Sequence, residues 1–327
     1  MEKIVALCKR RGIIFPGSDI YSGLTGTWDY GPLGSELKRN IKNEWWKSMV
    51  QLRSDVVGID AAIMMNPQVW QVSGHLEAFT DPLIECLICH KRFRADKAEE
   101  IKEHEEAGHK VEGKTVKITW TEPKKFNLLV EAELGVVEGQ KQKIYLRGEI
   151  TQGAFVNFEN VISSTRVKIP FGIAQIGKAF RNEITPGNFV YRSREFEQME
   201  LEFFVRPEDS EGDKWFQYWK EQRMSWYKSL GMDGAKLRFR KHEDDEKAHY
   251  AKYAEDIEFE APFGWSEFEG IHHRGDWDLS RHKQQYLDDQ GQKYTPWVIE
   301  ASGGVDRSTL FFLLNPYKQD EKRTCLS

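Results

Sequence analysis

FGIAQIGKAFRNEITPGNFVYRSREFEQMELEFF, from Phe171 to Phe204, decides how the rest of the chain is read. Two apolar-rich runs flank Thr185-Pro186-Gly187-Asn188, a cluster of turn formers, so the stretch predicts two long strands joined there. Period-two alternation on the first strand sets Gln175, Gly177, Ala179, Arg181 and Glu183 on one face. Small residues over most of that face leave room for a flat ligand, and Arg181 places a phosphate-binding guanidinium at its edge. On the second strand Phe196, Gln198, Glu200 and Glu202 share a face, an aromatic ring beside acids. A purine-sized ring can stack on Phe196 while Glu200 takes an ammonium group a few ångströms along. The same pattern also suits a surface hairpin with ordinary cross-strand ion pairs.

The chain has 327 residues, 47 basic and 52 acidic, for a formal net charge of −5. That balance argues against a surface built wholly for nucleic acid. Local basic clusters leave RNA contacts open: Lys9-Arg10-Arg11, Lys91-Arg92 with Arg94, and Lys236, Arg238, Arg240 and Lys241. No apolar run approaches membrane-spanning length and no secretory start is visible, so a soluble, cytoplasmic protein without a membrane partner is expected. Four cysteines make no disulfide framework, which leaves reduced thiols or a metal site. The length allows one large domain or two, and 11 tryptophans among abundant Phe and Tyr suggest a well-packed α+β enzyme.

Phe180-Arg181-Asn182-Glu183, a turn, and Arg192-Ser193-Arg194-Glu195-Phe196 together resemble the second signature motif of class II aminoacyl-tRNA synthetases. The longer strings FGIAQIGKAFRNEITP and REFEQMELEFF are similar to the dimeric form of glycyl-tRNA synthetase. The resemblance covers nearly the whole chain, most weakly from Lys102 to Thr121. It implies an α+β fold, an antiparallel sheet flanked by helices, and a homodimer that uses glycine, ATP with Mg²⁺, and tRNA(Gly).

Taken in order, Ile4 to Arg11 predicts a short amphipathic helix. Ile13 to Gly34 holds no phosphate-cradling glycine motif, and its DYGPLG resembles the start of the family's core. Leu37, Ile41, Trp45 and Met49, four apart, predict a helix over Ser35 to Gln51. Asp55 to Met65 is strand-like and is broken by Asn66-Pro67. VVGIDAAIMMNPQVWQVSGH resembles the first class II motif, a dimer-interface unit; a buried helix and strand of a monomer is the other reading. Cys86, Cys89, His104 and His109 stand at C-x2-C-x14-H-x4-H, a spacing that suits structural zinc. Exposed histidines on the charge-rich helix EEIKEHEEAGHK are the competing reading. Relatives often carry a second cysteine pair here, so the two histidines would have to substitute.

Pro123 to Val130 and Lys143 to Glu149 read as strands, the second ending in LRGEITQG where the family has a string similar to LRPETAQG. Gly148 replaces a φ-fixing proline, which should loosen that strand end. Asp213 to Leu230 predicts a helix whose aromatic stripe suits core packing, and Lys236 to Arg240 is strand-like. Trp297 to Glu300 is a last strand that runs through Ala301-Ser302-Gly303-Gly304 into Val305-Asp306-Arg307 and STLFFLL. This resembles the third class II motif; Ala301 stands where the family has a second proline. A glycine entry to a helix N-terminus, with Arg307 on its first turn, favours phosphate.

The resemblance assigns roles to particular residues. Arg181 and Arg307 would be catalytic, neutralising charge at the α-phosphate and holding the γ end. Asn182, Glu183, Tyr191, Arg192, Phe196, Glu267, Phe268 and Gly304 would complete the ATP site, with Phe196 under the adenine. Arg94, Glu149, Phe196, Gln198, Glu200, Glu300 and Ser302 would surround glycine. Glu269 and Arg274 would lie near the ATP and metal site, and Mg²⁺ would take Glu267 and Glu300. His272 and His273, neighbours on a strand, point oppositely and are read as structural. The expected organisation is residues 1–84 with the dimer segment, 85–124 as a zinc-binding insert, and 125–327 with the second and third motifs, the family's C-terminal anticodon-binding domain being absent. Three alternatives stand beside this: a paralogue that adenylates an amino acid for a carrier other than tRNA, a non-catalytic nucleotide- or RNA-binding protein, and a zinc-dependent nucleic-acid module centred on Cys86 to His109.

Overall fold

Alternation along Glu195–Val205 sorts its side chains onto two faces, and the molecule is assembled on that difference. Met199, Leu201, Phe203 and Val205 enter a core with Ile41, Trp45, Phe216 and Trp219. Those partners lie on the helices Pro32–Trp46 and Asp209–Ser229, which cover this side of the sheet. Gln198 and Glu200 turn to the opposite face, where they line an open cavity. The computed structural model describes residues 1–111, 114–137, 139–243, 251–319 and 324–326. Residues 112–113 of the insert, 138, 244–250 ahead of Tyr253, and 320–323 and 327 of the charged tail lie outside it.

The central sheet has seven strands: β1 Val56–Gly58, β2 Phe171–Phe180, β3 Glu195–Val205, β4 Leu237–Lys241, β5 Tyr253–Ala261, β6 Gly264–Gly275 and β7 Trp297–Gly304. Their spatial order is β4-β5-β6-β7-β3-β2-β1. All neighbours are antiparallel save the short edge pair β1–β2, which is parallel. With helices against the sheet, the α+β class stands. Among the described residues no helix is long and apolar enough to cross a membrane.

Several expected boundaries move for identifiable reasons. The connection between β2 and β3 spans Arg181 to Arg194 instead of a tight turn at Thr185–Asn188. Phe189 and Val190 are buried in the core, and Asn188 and Phe189 take positive φ to bring them there. Arg194 then donates to the Glu183 and Thr25 carbonyls, fixing the loop to the N-terminal segment. Of the strand expected over Asp55 to Met65, Val56–Gly58 joins the sheet and Met64 forms a lone antiparallel bridge with Leu146. Ala61 is held instead by side chains: its N–H donates to Gln175 Oε1 at 2.7 Å, and its carbonyl accepts from Arg147 at 2.7 Å.

Sequence reading put His272 and His273 on a strand but did not delimit the pair Tyr253–Ala261 and Gly264–Gly275, whose alternation is interrupted. Ile257 faces Glu269 while Glu258 faces Glu267, so Phe268 is an extra residue, a β-bulge. Beyond the bulge the two faces of β6 exchange.

Candidate active site

The cavity opens on the face of the sheet opposite the long helix Asp209–Ser229 and encloses about 250 Å³. Three strands contribute to its floor through cross-strand register: Glu200 lies opposite Ser302, and His272 opposite Glu300. Fifteen expected residues line it: Arg94, Glu149, Arg181, Glu183, Tyr191, Arg192, Phe196, Gln198, Glu200, Glu267, Arg274, Glu300, Ser302, Gly304 and Arg307. Residues spread over more than two hundred positions of sequence thus meet in one place.

Three expected residues do not line it. Asn182 is exposed, its backbone N–H donating to the Leu128 carbonyl at 2.7 Å. Phe268, the bulge residue, packs into the apolar core against Tyr227 and Phe311. Glu269 is fully buried on the helix side, with Arg223 Nε at 2.5 Å and the Tyr227 hydroxyl at 2.5 Å. The bulge separates Glu267 from Glu269, which simple alternation would have kept together.

Arg181 sits between two rings, 5.1 Å from the Phe79 centroid and 5.2 Å from that of Phe196. Its Nε donates to the Gly148 carbonyl at 3.0 Å. A guanidinium held flat this way keeps its outer N–H groups for phosphate oxygens. Arg307, on the first turn of Val305–Leu314, pairs with Glu267 at 2.7 Å and lies over Tyr191. Burial would lower its affinity for a proton, but Glu267 outweighs this and raises it. Arg192 stands 3.9 Å from Glu183 at the rim.

The floor is a buried set of acids in unlike states. Burial would push the Glu149 carboxyl up, yet His75 beside it, with Arg274 and Arg181, holds it well below the usual carboxylate range. Glu200 goes the other way: burial, then Glu300 and Glu149, push it up to about 7. Its oxygens accept from Ser302 at 2.7 Å, Gln198 at 2.6 Å and Thr151 at 2.5 Å. Burial also raises Glu300, but Arg274 and His272 overcome it and keep this acid low. Beneath them Glu202 has neither oxygen hydrogen-bonded among the described residues, and burial with Glu300 drives its carboxyl well up.

His272 is a correction. It does point away from His273, but it lines the cavity and contacts Glu300 Oε1 at 2.5 Å. Thr151, Ser193, Glu197 and Asp306 were also missed. Thr151 opens the helix Thr151–Val156, past the strand Gln142–Leu146, so strand alternation does not mark it; nor does any local pattern mark Asp306. Its carboxylate accepts from Lys38 at 2.8 Å and from Tyr30 at 2.5 Å, the second contact tying DYGPLG to the third motif across 276 residues of chain.

For a metal, Glu300 does not fit, because His272 holds Oε1 and Arg274 holds Oε2 at 2.7 Å. Glu267 does fit a hard cation: Arg307 takes Oε1 at 2.7 Å, which leaves Oε2 as the ligand atom, and the side chain is 44% exposed at the rim. In the insert, ligand atoms of Cys86, Cys89, His104 and His109 all lie within 4.8 Å of one another. Cys89 Sγ is 3.6 Å from His104 Nε2, which is 3.0 Å from His109 Nε2. Tetrahedral zinc with bonds of about 2.0–2.3 Å separates its ligands by roughly 3.3–3.8 Å, so the 3.6 Å pair matches and the 3.0 Å and 4.8 Å separations are within about 1 Å of that spacing.

Residues 134–315 match the family described as tRNA synthetase class II core domain (G, H, P, S and T). Over 98% of its length the chain is 49% identical to the glycine–tRNA ligase of Treponema denticola, covering 71% of that protein. It is 48% identical over the same share to the glycine–tRNA ligases of Streptomyces coelicolor and Caldanaerobacter subterraneus, covering 73% and 75% of them. With this likeness running through the motifs that build the cavity, the chain belongs to the glycine–tRNA ligase family of class II aminoacyl-tRNA synthetases.

Proposed function

We propose that this cavity joins glycine to ATP and that the resulting adenylate passes glycine to the 3′ end of tRNA(Gly). The observation that carries the reading is one cavity lined by the Arg181 and Arg307 guanidiniums together with the carboxylates Glu149, Glu200 and Glu300. Glycine's carboxylate oxygen attacks the α-phosphorus as the bond to pyrophosphate breaks. A tRNA hydroxyl then attacks the glycyl carbonyl, giving up its proton as AMP leaves. Arg181 balances charge at the α-phosphate, Arg307 holds the γ end and Phe196 stacks the adenine; the work is alignment and electrostatics. Glu267 at the rim would hold magnesium, which would supply charge neutralisation on the phosphates.

Glu149, Glu200 and Ser302 hold glycine, and the acids crowd the space a larger side chain would need. Exclusion on size suffices here, since steric rejection of larger amino acids can be strong. Amino-acid-dependent ATP–pyrophosphate exchange with glycine, alanine and serine tests this. Exchange with glycine alone, lost in Arg181→Ala, supports the reading; exchange with none in folded protein that binds ATP sinks it.

The four-ligand cluster of the insert supports a structural zinc, and metal analysis of purified protein tests it. A homodimer built through 1–84 is in keeping with Leu52 at 73% and Met64 at 55% exposure beside the short edge strand β1. A cytoplasmic location goes with the reaction.

A further inference from the structure

We infer that His75 is a positioning residue for the amino acid: its ring, anchored by Ser73, holds the Glu149 carboxylate in the orientation that receives the ammonium group. The inference rests on the reading of Glu149 as ammonium acceptor and adds the residue that fixes that acceptor.

The local chain makes the arrangement. Gly74 takes φ +87°, a left-handed turn between the helices Pro67–Val72 and His75–Ala78. Two residues apart, Ser73 Oγ and His75 Nδ1 are brought to 2.7 Å. Trp70 edge-on and Phe79 tilted, each with its centroid 5.3 Å away, close on the imidazole, and both Ser73 and His75 are buried. Asn127 donates to the backbone carbonyls of His75 and Leu76 and holds the turn in place.

The hydroxyl of Ser73 has one proton and two acceptors, Nδ1 at 2.7 Å and the Trp70 carbonyl at 3.4 Å. The shorter contact takes it, which leaves Nε2 carrying the proton that faces Glu149 Oε1 at 3.1 Å. The same oxygen receives Gln152 Nε2 at 3.2 Å. Gln152 is itself held, by His282 at 2.9 Å and Asp278 at 3.1 Å. Two donors on one oxygen fix the plane of a carboxylate and favour its ionised form.

Serine, histidine and acid in series also describe a nucleophilic triad, but here the direction is reversed. Ser73 is 3% exposed and does not line the cavity, whereas Glu149 does. The acid end is open to substrate, so the chain of hydrogen bonds serves orientation and not attack.

The test compares His75→Gln, His75→Asn and His75→Ala with Glu149→Gln in glycine-dependent pyrophosphate exchange, with melting temperatures alongside. A glutamine amide reaches the place of Nε2, and an asparagine amide reaches only that of Nδ1. Ala and Asn are expected to raise the KM for glycine by about tenfold with the KM for ATP changed less than about twofold, and Gln to recover most of the loss. If Gln, Asn and Ala are alike, or if both KM values rise together as the melting temperature falls, the ring merely packs and the inference is overturned. If Glu149→Gln raises the KM for glycine but no His75 variant does, the inference alone fails. An unchanged KM for glycine in Glu149→Gln removes the reading of Glu149 itself. Should the Ala variant not fold, the Gln–Asn pair decides.

Discussion

Arg181 and Glu200 show how single residues would reveal the chemistry. Arg181 has its flat face occupied by two rings and its edge free for phosphate. Arg181→Ala is expected to lower pyrophosphate exchange by about 10²–10³-fold with little loss of stability, checked by exchange kinetics beside a melt. Glu200 titrates near 7 in the empty floor, and an ammonium group prefers its ionised form. The KM for glycine should therefore fall as pH rises through about 7. Stability moves the opposite way. The folded state holds a proton here that the unfolded chain releases at about 4.5, so this group's contribution declines from about 4.5 to about 7. Saturating glycine should flatten that decline, and a pH series of melts with and without glycine shows it. A KM for glycine independent of pH over this window would contradict the assignment.

At the scale of elements, the bulge in the β5–β6 pair decides which acids face substrate. Glu269 and Arg223 form a fully buried pair on the helix side. Removing one partner of such a pair strands the other charge, so Glu269→Ala should cost about 3–5 kcal/mol in a denaturant melt. The KM for glycine should change little in whatever fraction stays folded. The bulge also marks where sequence reading ran out. Arg181, Glu200 and Arg307 were legible because long local strings carry them. Glu269 and Phe268 were misplaced because one extra residue reverses alternation and leaves no mark in composition. His272 was misjudged because its partner, Glu300, is fixed by strand order and not by neighbours in sequence. Thr25 and Arg194, or Tyr30 and Asp306, meet only after the sheet has formed, so no local pattern announces them.

For the whole molecule, the layers explain both robustness and reach. One face of the sheet is given over to aromatic packing, with Trp45 and Trp219 nearly or fully buried. Trp219→Ala, by the usual cost of emptying a large core site, should lose about 3–5 kcal/mol, read from equilibrium unfolding. The cluster Cys86, Cys89, His104 and His109 sits among short strands outside the seven-stranded sheet, and on the proposal that it holds zinc, chelation should melt that region while ATP binding at the sheet survives. Native mass spectrometry before and after chelation, with ATP titrated into the stripped protein, checks both halves of that expectation. Loss of ATP binding on chelation would mean the region supports the main cavity.

The carboxylate floor has a practical consequence. Glu149 and Glu300 are ionised at rest and Glu200 is half-ready to be, so the pit attracts any cation small enough to enter. Methylamine or free ammonium lacks the carboxylate that attacks ATP but carries the group the floor recognises. Such amines should act as dead-end competitors of glycine, and buffers built on primary amines should inflate the apparent KM for glycine.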